Sequence, residues 1–419
     1  MSLHSIRVSL LALATAMILA ACGGSSSSPP APPEGGLSLT AGDSQITISW
    51  KETPGVEYWI FAAPNNPTLS ISNWLATAGS SYRLKVTSPF IVSGLSNETP
   101  YSFFMTGRVN GGPGGASTPT VIGTPRLAGT NWTPGVNLNT GTQTGLSYGS
   151  YLDTATNTIK YTYLAVGNDG KMFKTENIAA WTAISPVVTT NLNSTTFGFA
   201  KYIAAGDAGQ LIYSTDTQTW TKATSTSTQN LNAVAASASF VVAVGNNGTI
   251  ITSKDAITWT AVASVPTSFN LYGVAYTSSG TWIVVGEKGT VLTSSDGATW
   301  TAQTTNVSDD LKAAGAISGI TNSITTYTYV VVGANGTVLT SSDAIVWTAR
   351  STEPKVNLNA LSADKQFIAV GSNGAIFTSL DGIAWTSRVN NNTAELKTIL
   401  RAENKYIAVN STGGLLLSE

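Results

Sequence analysis

The stretch VGNNGTIITSKDAITWTA, residues 244–261, decides how most of this 419-residue chain is organised. In it, Gly248 is followed five residues later by Ser253, seven later by Asp255 and eleven later by Trp259. Four further copies keep the same offsets, and a weaker sixth copy has Thr and Asn in place of Ser and Asp. A period near 40 residues, with several short strands in each unit, predicts the blades of a β-propeller. The repeated positions are Ser214, Asp216, Trp220, Ser253, Asp255, Trp259, Ser294, Asp296, Trp300, Ser341, Asp343, Trp347, Ser379, Asp381 and Trp385.

Each repeat unit is predicted to contain four strands. In the unit that begins at residue 231, LNAVAAS is expected to be the innermost strand, FVVAVG the second, TIITS the third and TWTAV the outermost. GNNG between the second and third strands is typical of a hairpin turn whose glycines adopt positive φ. Two units are longer than the others, and residues 150–163 and 318–329 are interpreted as insertions in their first hairpins.

The two ends of the repeat region predict how the array closes. The last unit, VNSTGGLLLSE, has Gly413 and Ser418 in their places but reaches Glu419 before an Asp or Trp. Near the start of the region, Trp132 and Thr133 form an outer-strand pair with no unit before them. If this N-terminal strand completes the C-terminal blade, no strand edge of the array is left unpaired. We therefore predict a seven-bladed propeller over residues 127–419, closed by an N-terminal outer strand.

The repeated side chains are interpreted as structural. Each Asp is expected in the turn between the third and outer strands, where its carboxylate accepts backbone N–H groups that the turn leaves unpaired. The Ser hydroxyl does similar work, and the Trp, burying on the order of 200 Å², packs between blades. The alternative is that the five carboxylates form one binding or catalytic set. Such turns lie at the rim of one face and cannot converge on a substrate.

These units resemble the Asp-box, or BNR repeat, of sialidases, photosystem II assembly-factor propellers and xyloglucanase-like glycosidases. In SSDGATW the Asp and the Trp are four residues apart, one fewer than in the sialidase form. The chain is therefore similar to the shorter-turn bacterial propellers. The resemblance implies a fold for residues 127–419, and it leaves the ligand open.

The first 22 residues are predicted to be a targeting segment. Arg7 supplies its positive charge, and the apolar run at residues 8–21 is shorter than the roughly 20 residues of a membrane span. The ending Leu-Ala-Ala-Cys resembles the lipobox of bacterial lipoproteins, which implies acylation of Cys22; the alternative is an ordinary secretory signal. Residues 23–36, rich in Ser, Pro and Gly, are typical of a flexible tether. Gly23 follows the family pattern for outer-membrane sorting.

Residues 37–126 are predicted to form a separate all-β domain, because alternating segments are separated by Gly, Pro and Asn turns. Trp50, Tyr58 and Tyr101 resemble positions of a fibronectin type III sandwich, and the resemblance implies that the Tyr101 hydroxyl bonds back to the backbone. Between Ala63 and Tyr82 the chain departs from that pattern. We expect this domain to act as a spacer.

Composition excludes several function classes. Charged residues make up 10% of the chain and the net charge is −1, without the basic cluster expected of a nucleic-acid binder. His4 is the only histidine and Cys22 the only cysteine, so processing would remove the one and acylate the other. Metal or haem sites built on His or Cys and catalysis by Ser-His-Asp or Cys-His are excluded. We predict no metal and no cofactor.

Candidate ligand-binding residues lie in loops on the face opposite the Asp-boxes, where propellers usually bind ligands. A sialidase, as the resemblance implies, would need three converging arginines. Arg401 is expected on the face opposite the other two propeller arginines. A glycosidase needs only two carboxylates about 5 to 9 Å apart, so this alternative stays open. The candidate ligand-face residues are Glu287, Lys288, Asp309, Asp310, Arg350, Glu353 and Arg388.

The sequence predicts a non-enzymatic, lipid-anchored protein of the bacterial cell envelope, held in the outer membrane. Its propeller is expected to act as a recognition or scaffolding platform for a protein or a glycan. Two alternatives remain: an extracellular glycoside hydrolase that uses paired carboxylates, and an assembly factor for a membrane complex.

Overall fold

The computed structural model describes residues 29–112, 114–138, 141–321 and 323–419. Cys22, the targeting segment and residues 23–28 of the tether lie outside the described residues. Two compact units part between Ala128 and Gly129. Both units are built from β-strands, and the helical elements of the described chain are short 3₁₀ turns.

The first unit consists of two antiparallel sheets with the strand orders β1-β2-β5 and β4-β3-β6-β7. Ile46 and Ile48 from one sheet and Ile60 and Phe103 from the other share one buried apolar cluster. A 3₁₀ turn at Trp74–Ala76 follows β3, and Trp74 packs against Phe61 with 5.0 Å between ring centroids. The strands are β1 (Ser38–Gly42), β2 (Gln45–Ser49), β3 (Glu57–Pro64), β4 (Ser81–Val86), β5 (Phe90–Ser93), β6 (Tyr101–Arg108) and β7 (Val121–Gly123).

Within its described residues, the second unit contains seven four-stranded antiparallel sheets. Sheets 1 to 6 each use four consecutive strands, from the innermost to the outermost. Sheet 1 is β9 (Gln143–Asp153), β10 (Thr158–Gly167), β11 (Met172–Thr175) and β12 (Thr182–Ile184). Sheet 2 is β13 (Leu192–Gly198), β14 (Lys201–Gly206), β15 (Leu211–Ser214) and β16 (Thr221–Lys222). Sheet 3 is β17 (Leu231–Ala236), β18 (Val241–Gly245), β19 (Ile250–Ser253) and β20 (Thr260–Ala261).

Sheet 4 is β21 (Leu271–Tyr276), β22 (Trp282–Gly286), β23 (Val291–Ser294) and β24 (Thr301–Gln303). Sheet 5 is β25 (Leu311–Thr321), β26 (Ile324–Gly333), β27 (Thr337–Ser341) and β28 (Thr348–Ser351). Sheet 6 is β29 (Leu358–Ala363), β30 (Phe367–Gly371), β31 (Ile376–Ser379) and β32 (Thr386–Ser387). Sheet 7 joins β33 (Leu396–Ala402), β34 (Lys405–Asn410) and β35 (Gly414–Ser418) to β8 (Thr133–Asn137), the first strand of the unit.

The sheets are arranged around a common centre. Each innermost strand neighbours the innermost strand of the next sheet, and β33 of sheet 7 neighbours β9 of sheet 1. Apolar clusters fill the spaces between successive sheets: Val244 of sheet 3, for example, shares a cluster with Leu292 and Trp300 of sheet 4. Tyr163 of sheet 1 and Val409 of sheet 7 share another. The core is therefore a series of layers between sheets.

The turns between second and third strands differ from the prediction in one respect. Glycines are predicted to supply the positive φ, but in sheets 1 to 6 the residue before the glycine is also left-handed, as at Lys288 with φ 53° and Gly289 with φ 71°. In sheet 2 the glycine of this turn, Gly209, faces the carbonyl oxygen of Ser227, and a Cβ there would collide with it. Glycine is thus required at this position for both its φ and its close contact.

Candidate functional site

The loops of the second unit emerge at two faces because neighbouring strands run antiparallel. We name the Asp-box face as the one that carries the turns from the first to the second and from the third to the fourth strand of each sheet. The connector face carries the turns from the second to the third strand and the connections that lead to the next sheet. The predicted ligand residues belong to the connector face.

In the Asp-box turns, Ser and Asp hold the local backbone. In sheet 3 the Ser253 hydroxyl donates to Asp255 Oδ1 (2.9 Å) and accepts the N–H of Ala256 (2.9 Å). Asp255 Oδ1 also accepts the N–H groups of Ile257 (2.8 Å) and Thr258 (2.9 Å). The turns of sheets 2, 4, 5 and 6 repeat this pattern around Asp216, Asp296, Asp343 and Asp381.

The same hydrogen bonds keep these carboxyl groups ionised. Backbone N–H groups lower the pKa of Asp255, Asp343 and Asp381, and they lower the pKa of Asp296 to about 2. At Asp216 burial acts to raise the pKa, but the hydrogen bonds from the backbone and from a Ser hydroxyl outweigh it, and the pKa is lowered. A carboxylate held in this way is a poor proton donor near neutral pH.

The repeat tryptophans lie between sheets. Trp220 shares a cluster with residues of sheet 1, and Trp347 with residues of sheet 4. Trp300 and Trp385 also donate their indole N–H to the carbonyl three residues earlier, at 3.2 and 2.9 Å. The structure brings Ser, Asp and Trp together within each turn and places the five turns on five different sheets. They form five separate structural sites.

Asp309 and Asp310, predicted as ligand residues, are engaged in fixing neighbouring loops. The Asp309 carboxylate accepts hydrogen bonds from Asn335 Nδ2 (2.8 Å) and Thr337 Oγ1 (2.7 Å), and these bonds lower its pKa. Asp310 accepts the backbone N–H of Lys288 (3.2 Å) and forms an ion pair with Lys312 (3.2 Å). Using either carboxylate as a general acid or base would mean giving up these bonds.

Asp310 belongs to a repeated anchor that the sequence interpretation missed. In sheets 2 to 6 each inner strand begins at a Leu, and an Asn or Asp precedes it. The Oδ1 of that Asn or Asp accepts the backbone N–H of the left-handed residue in the turn between the second and third strands of the preceding sheet, at 2.9 to 3.2 Å. The signal was present as the tripeptide Asn-Leu-Asn at 191–193, 230–232 and 357–359. The residues that fill this position are Asn191, Asn230, Asn270, Asp310 and Asn357.

The residue after that Leu links the sheets around the centre. Asn193 donates to the Leu231 carbonyl of the next sheet at 3.0 Å, and Asn232 donates to the Leu271 carbonyl at 2.8 Å. Asn359 makes the corresponding bond to Leu396 at 2.8 Å. These Asn side chains, at the start of the innermost strands, therefore join one sheet to the next.

Two lysines on the connector face lie over aromatic rings. Lys312 Nζ lies 3.4 Å from the ring centroid of Tyr272, and Lys288 Nζ lies 4.7 Å from that of Phe269. Burial raises the pKa of Tyr272, and the carboxylates of Asp310 and Glu287 add to this effect. Such cation–π contacts hold a flexible lysine in one place.

The remaining candidate residues do not join this group through any described contact. Arg388 Nε donates to Thr378 Oγ1 at 2.8 Å. Arg350 and Glu353 are exposed, and neither side chain makes a hydrogen bond or ion pair within the part of the chain that the structure describes. Arg401 forms an ion pair with Asp364 on the Asp-box face. The arginines therefore lie on two faces, which is incompatible with a sialidase triad.

Among the residues that the structure describes, no three His, Cys, Asp or Glu side chains are grouped closely enough to hold a metal ion. None of the helical elements described has the length and apolar character needed to cross a membrane.

Residues 251–418 match the family described as photosynthesis system II assembly factor YCF48. A solved structure described as YCF48 bound to D1 peptide is 17% identical, with a TM-score of 0.54, and the match covers 68% of this chain and 94% of that one. YCF48 from Cyanidioschyzon merolae is 16% identical, with a TM-score of 0.51 and coverages of 68% and 98%. No curated protein matches the chain in sequence.

Propellers of unrelated activity have the same architecture. Selenomethionine-substituted virginiamycin B lyase from Staphylococcus aureus is 9% identical, with a TM-score of 0.57, and the match covers 69% of this chain and 98% of the lyase. At such identities the solved structures establish the fold alone. The second unit is thus a β-propeller, and its repeats are similar to those of the BNR, sialidase-like superfamily.

Proposed function

We propose that this protein is a non-enzymatic, lipid-anchored envelope protein whose propeller binds a partner protein. The observation that carries the proposal is the match of residues 251–418 to an assembly-factor family, together with a related solved structure that holds a peptide. The geometry agrees with it, because the carboxylates of the Asp-box turns and of Asp309 and Asp310 are used in hydrogen bonds within the protein. Assembly of a membrane complex is the role that fits this family best.

The domain organisation belongs to the proposal. Acylated Cys22 and the tether at residues 23–36 would hold a fibronectin type III-like spacer at residues 37–126. Two features support that spacer: its sheets of three and four strands, and the Tyr101 hydroxyl, which accepts the N–H of Ser96 at 3.1 Å. We further propose that residues 127–419 form a closed ring of seven blades. The pairing of β8 with β35 and the contact of β33 with β9 support closure.

The connector face is the surface that we assign to the partner. Lys288 is exposed, is held over Phe269, and lacks an ion-pair partner among the residues described. Arg350, on the next sheet, is likewise exposed. One cation over an exposed aromatic ring and a second cation on the next sheet suit a peptide segment that carries both carboxylate and apolar side chains.

The test is capture of envelope proteins by the full chain and by charge-reversed variants. Lys288→Glu combined with Arg350→Glu should reduce recovery of the partner at least about tenfold, since each change reverses one charge at the surface. Lys254→Glu is the matched control: Lys254 also lies over a ring, that of Phe240 at 5.6 Å, but on the Asp-box face. Equal losses in the two variants would contradict a site on the connector face.

Anchoring is tested separately. Cys22→Ser should release the protein from the membrane fraction, because the acyl chains that it would carry supply the membrane affinity. Persistence of the variant in washed membranes would contradict acylation at this residue.

A further inference from the structure

Two hairpins of the propeller extend beyond their sheets on the Asp-box face. In sheet 1, β10 pairs with β9 along its whole length, but β11 pairs with it only from Tyr163 to Val166. In sheet 5, β26 likewise pairs with β25 along its whole length, but β27 pairs with β26 only from Tyr329 to Val332. Residues 158–162 and 324–328 therefore have one edge that no described strand covers.

The two edges are similar in sequence but differ in charge. When Tyr163 is aligned with Tyr329, TIKYTY at 158–163 corresponds to ITTYTY at 324–329. Lys160 on the first hairpin forms an ion pair with Glu176 at 3.3 Å. Thr326 and Ser342 occupy the corresponding positions of sheet 5. Charged residues on an edge discourage the addition of another strand, and only the first hairpin has them.

The hairpin that contains β26 is formed by an uncharged stretch of the sequence. No Asp, Glu, Lys or Arg occurs between Lys312 and Asp343. Ile320 and Ile324 near the hairpin tip are 81% and 66% exposed. The Asp-box turn that starts where β27 leaves β26 adds Ile345 and Val346, which are 60% and 68% exposed. The one carboxylate of this turn, Asp343, is engaged with the hydroxyl of Ser341 and the N–H groups of its own turn. A charged segment docking here would lose hydration, so the surroundings favour an uncharged one.

The backbone defines what can bind. Thr321 is paired with Ile324 at the end of the ladder, and paired residues three positions apart in an antiparallel hairpin form a hydrogen-bonded pair. Because such pairs alternate along an antiparallel ladder, the N–H and C=O groups of Thr325 and Tyr327 point to the open edge. Thr, Tyr and Ile also have high β-propensity. These groups can be satisfied together by an extended strand.

We infer that residues 324–328 bind an extended, uncharged segment of a partner protein, rich in β-branched residues, as an added strand of sheet 5. A second copy of the chain is a poorer occupant. Pairing over five residues buries a few hundred Å² on each side, whereas a stable interface between globular proteins needs roughly 800 Å² per partner. This surface is on the opposite face from the one assigned to the partner above, and it stands independently of that assignment.

The test transfers the charge pair of sheet 1 to sheet 5. A display library of random heptapeptides is selected on the full chain, and the enriched peptides are expected to be uncharged and rich in Val, Ile and Thr. Thr326→Lys combined with Ser342→Glu should weaken their binding at least about tenfold. Thr325→Pro, which removes one outward N–H and leaves the pairing with β25 intact, should do the same. Lys160→Thr with Glu176→Ser is the matched control, in which binding to β26 should persist.

Hydrogen exchange locates the bound peptide. Addition of a selected peptide should slow exchange at the Thr325 and Tyr327 amides and leave the amides of 158–162 unchanged. Enriched peptides that bind the charged variant equally well would overturn the inference, as would failure of the library to yield any. A dimer in sedimentation experiments that the Thr326→Lys and Ser342→Glu changes dissociate would show that a second copy is the occupant, and would overturn it too. Lys288→Glu should not affect any of these results.

Discussion

The turn between the third and the outer strand is formed by one continuous segment in sheet 3 and by two distant segments of the chain in sheet 7. In sheet 3 the turn is continuous: Ser253 accepts the N–H of Ala256, whose φ is 65°, and Trp259 follows three residues later. In sheet 7 the Ser418 hydroxyl accepts the N–H of Gly129 at 2.8 Å, although 289 residues separate them. Gly129 has φ 96°, and Trp132, three residues later, donates its indole N–H to the Gly129 carbonyl at 3.0 Å.

The comparison separates two tasks within the Asp-box. Ser, the left-handed residue and Trp occur in both turns, and they join the third strand to the outer one. The Asp occurs only in the continuous turns, because the position before Gly129 is Ala128. We infer that the carboxylate stabilises the local chain reversal, while the Ser and Trp contacts hold the outer strand. A turn assembled from two chain ends has no reversal to stabilise and can lack the Asp.

The largest expected loss of stability comes from removing β8, the N-terminal strand that completes sheet 7. Deletion of residues 130–134 takes away Trp132 and part of β8, and it exposes the edge of β35. Loss of a buried Trp alone costs about 3 to 5 kcal/mol, and the opened edge adds a site for aggregation. Calorimetry should show a markedly lower melting temperature and poor reversibility. An unchanged melting temperature would contradict closure by the N-terminal strand.

Substitution of Gly129, the left-handed glycine of sheet 7, is expected to cause the next largest loss of stability. A Cβ on Gly129 would collide with Ile368, so Gly129→Ala combines backbone strain with overpacking and should cost about 2 to 4 kcal/mol. Gly297→Ala is the control in sheet 4. Its φ of 70° carries similar strain, but the nearest atom to its Cβ is 3.4 Å away, and about 1 kcal/mol is expected. Denaturant unfolding should rank the two variants in this order.

The Asp of a continuous turn is expected to contribute less to the free energy of unfolding than Gly129 or Trp132 does. Asp255→Ala leaves the N–H groups of Ile257 and Thr258 to be satisfied by water, since both residues lie at the surface. A loss of about 1 to 2 kcal/mol is expected, as for removal of a helix N-cap side chain. Ser253→Ala should cost a similar amount. A loss above about 4 kcal/mol from Asp255→Ala would show that the carboxylate also supports the packing between sheets.

Whether a contact of this protein can be predicted from the sequence depends on how far apart its residues lie along the chain. The Asp-box bonds join residues two or three positions apart, so the repeat displays them directly. The anchor formed by Asp310 joins residues 22 positions apart on two sheets, so the sequence alone predicts Asp309 and Asp310 as ligand residues in a loop. The insertion at 318–329 was expected, but its open edge depends on where β27 stops pairing. The repeat does predict the packing of its Trp between sheets. The polar contacts between sheets are thus the part that the sequence does not reveal.

The smallest expected effect is the acid sensitivity of the five turns that carry an Asp, which the turn of sheet 7 lacks. The pKa of Asp296 is about 2 in the folded protein, below the value near 3.9 of an unfolded chain. Folding therefore gains stability from this carboxylate above about pH 4, and the gain is lost as the pH falls from about 4 towards 2. Asp296→Asn should lower stability at pH 7 and flatten the pH dependence in that interval. Because the carboxylate is near the surface, solvent screening keeps the effect of one site small. Urea midpoints measured from pH 2 to pH 7 would check it, and a variant whose profile stays parallel to that of the natural protein would show that the Asp296 carboxylate contributes no acid sensitivity.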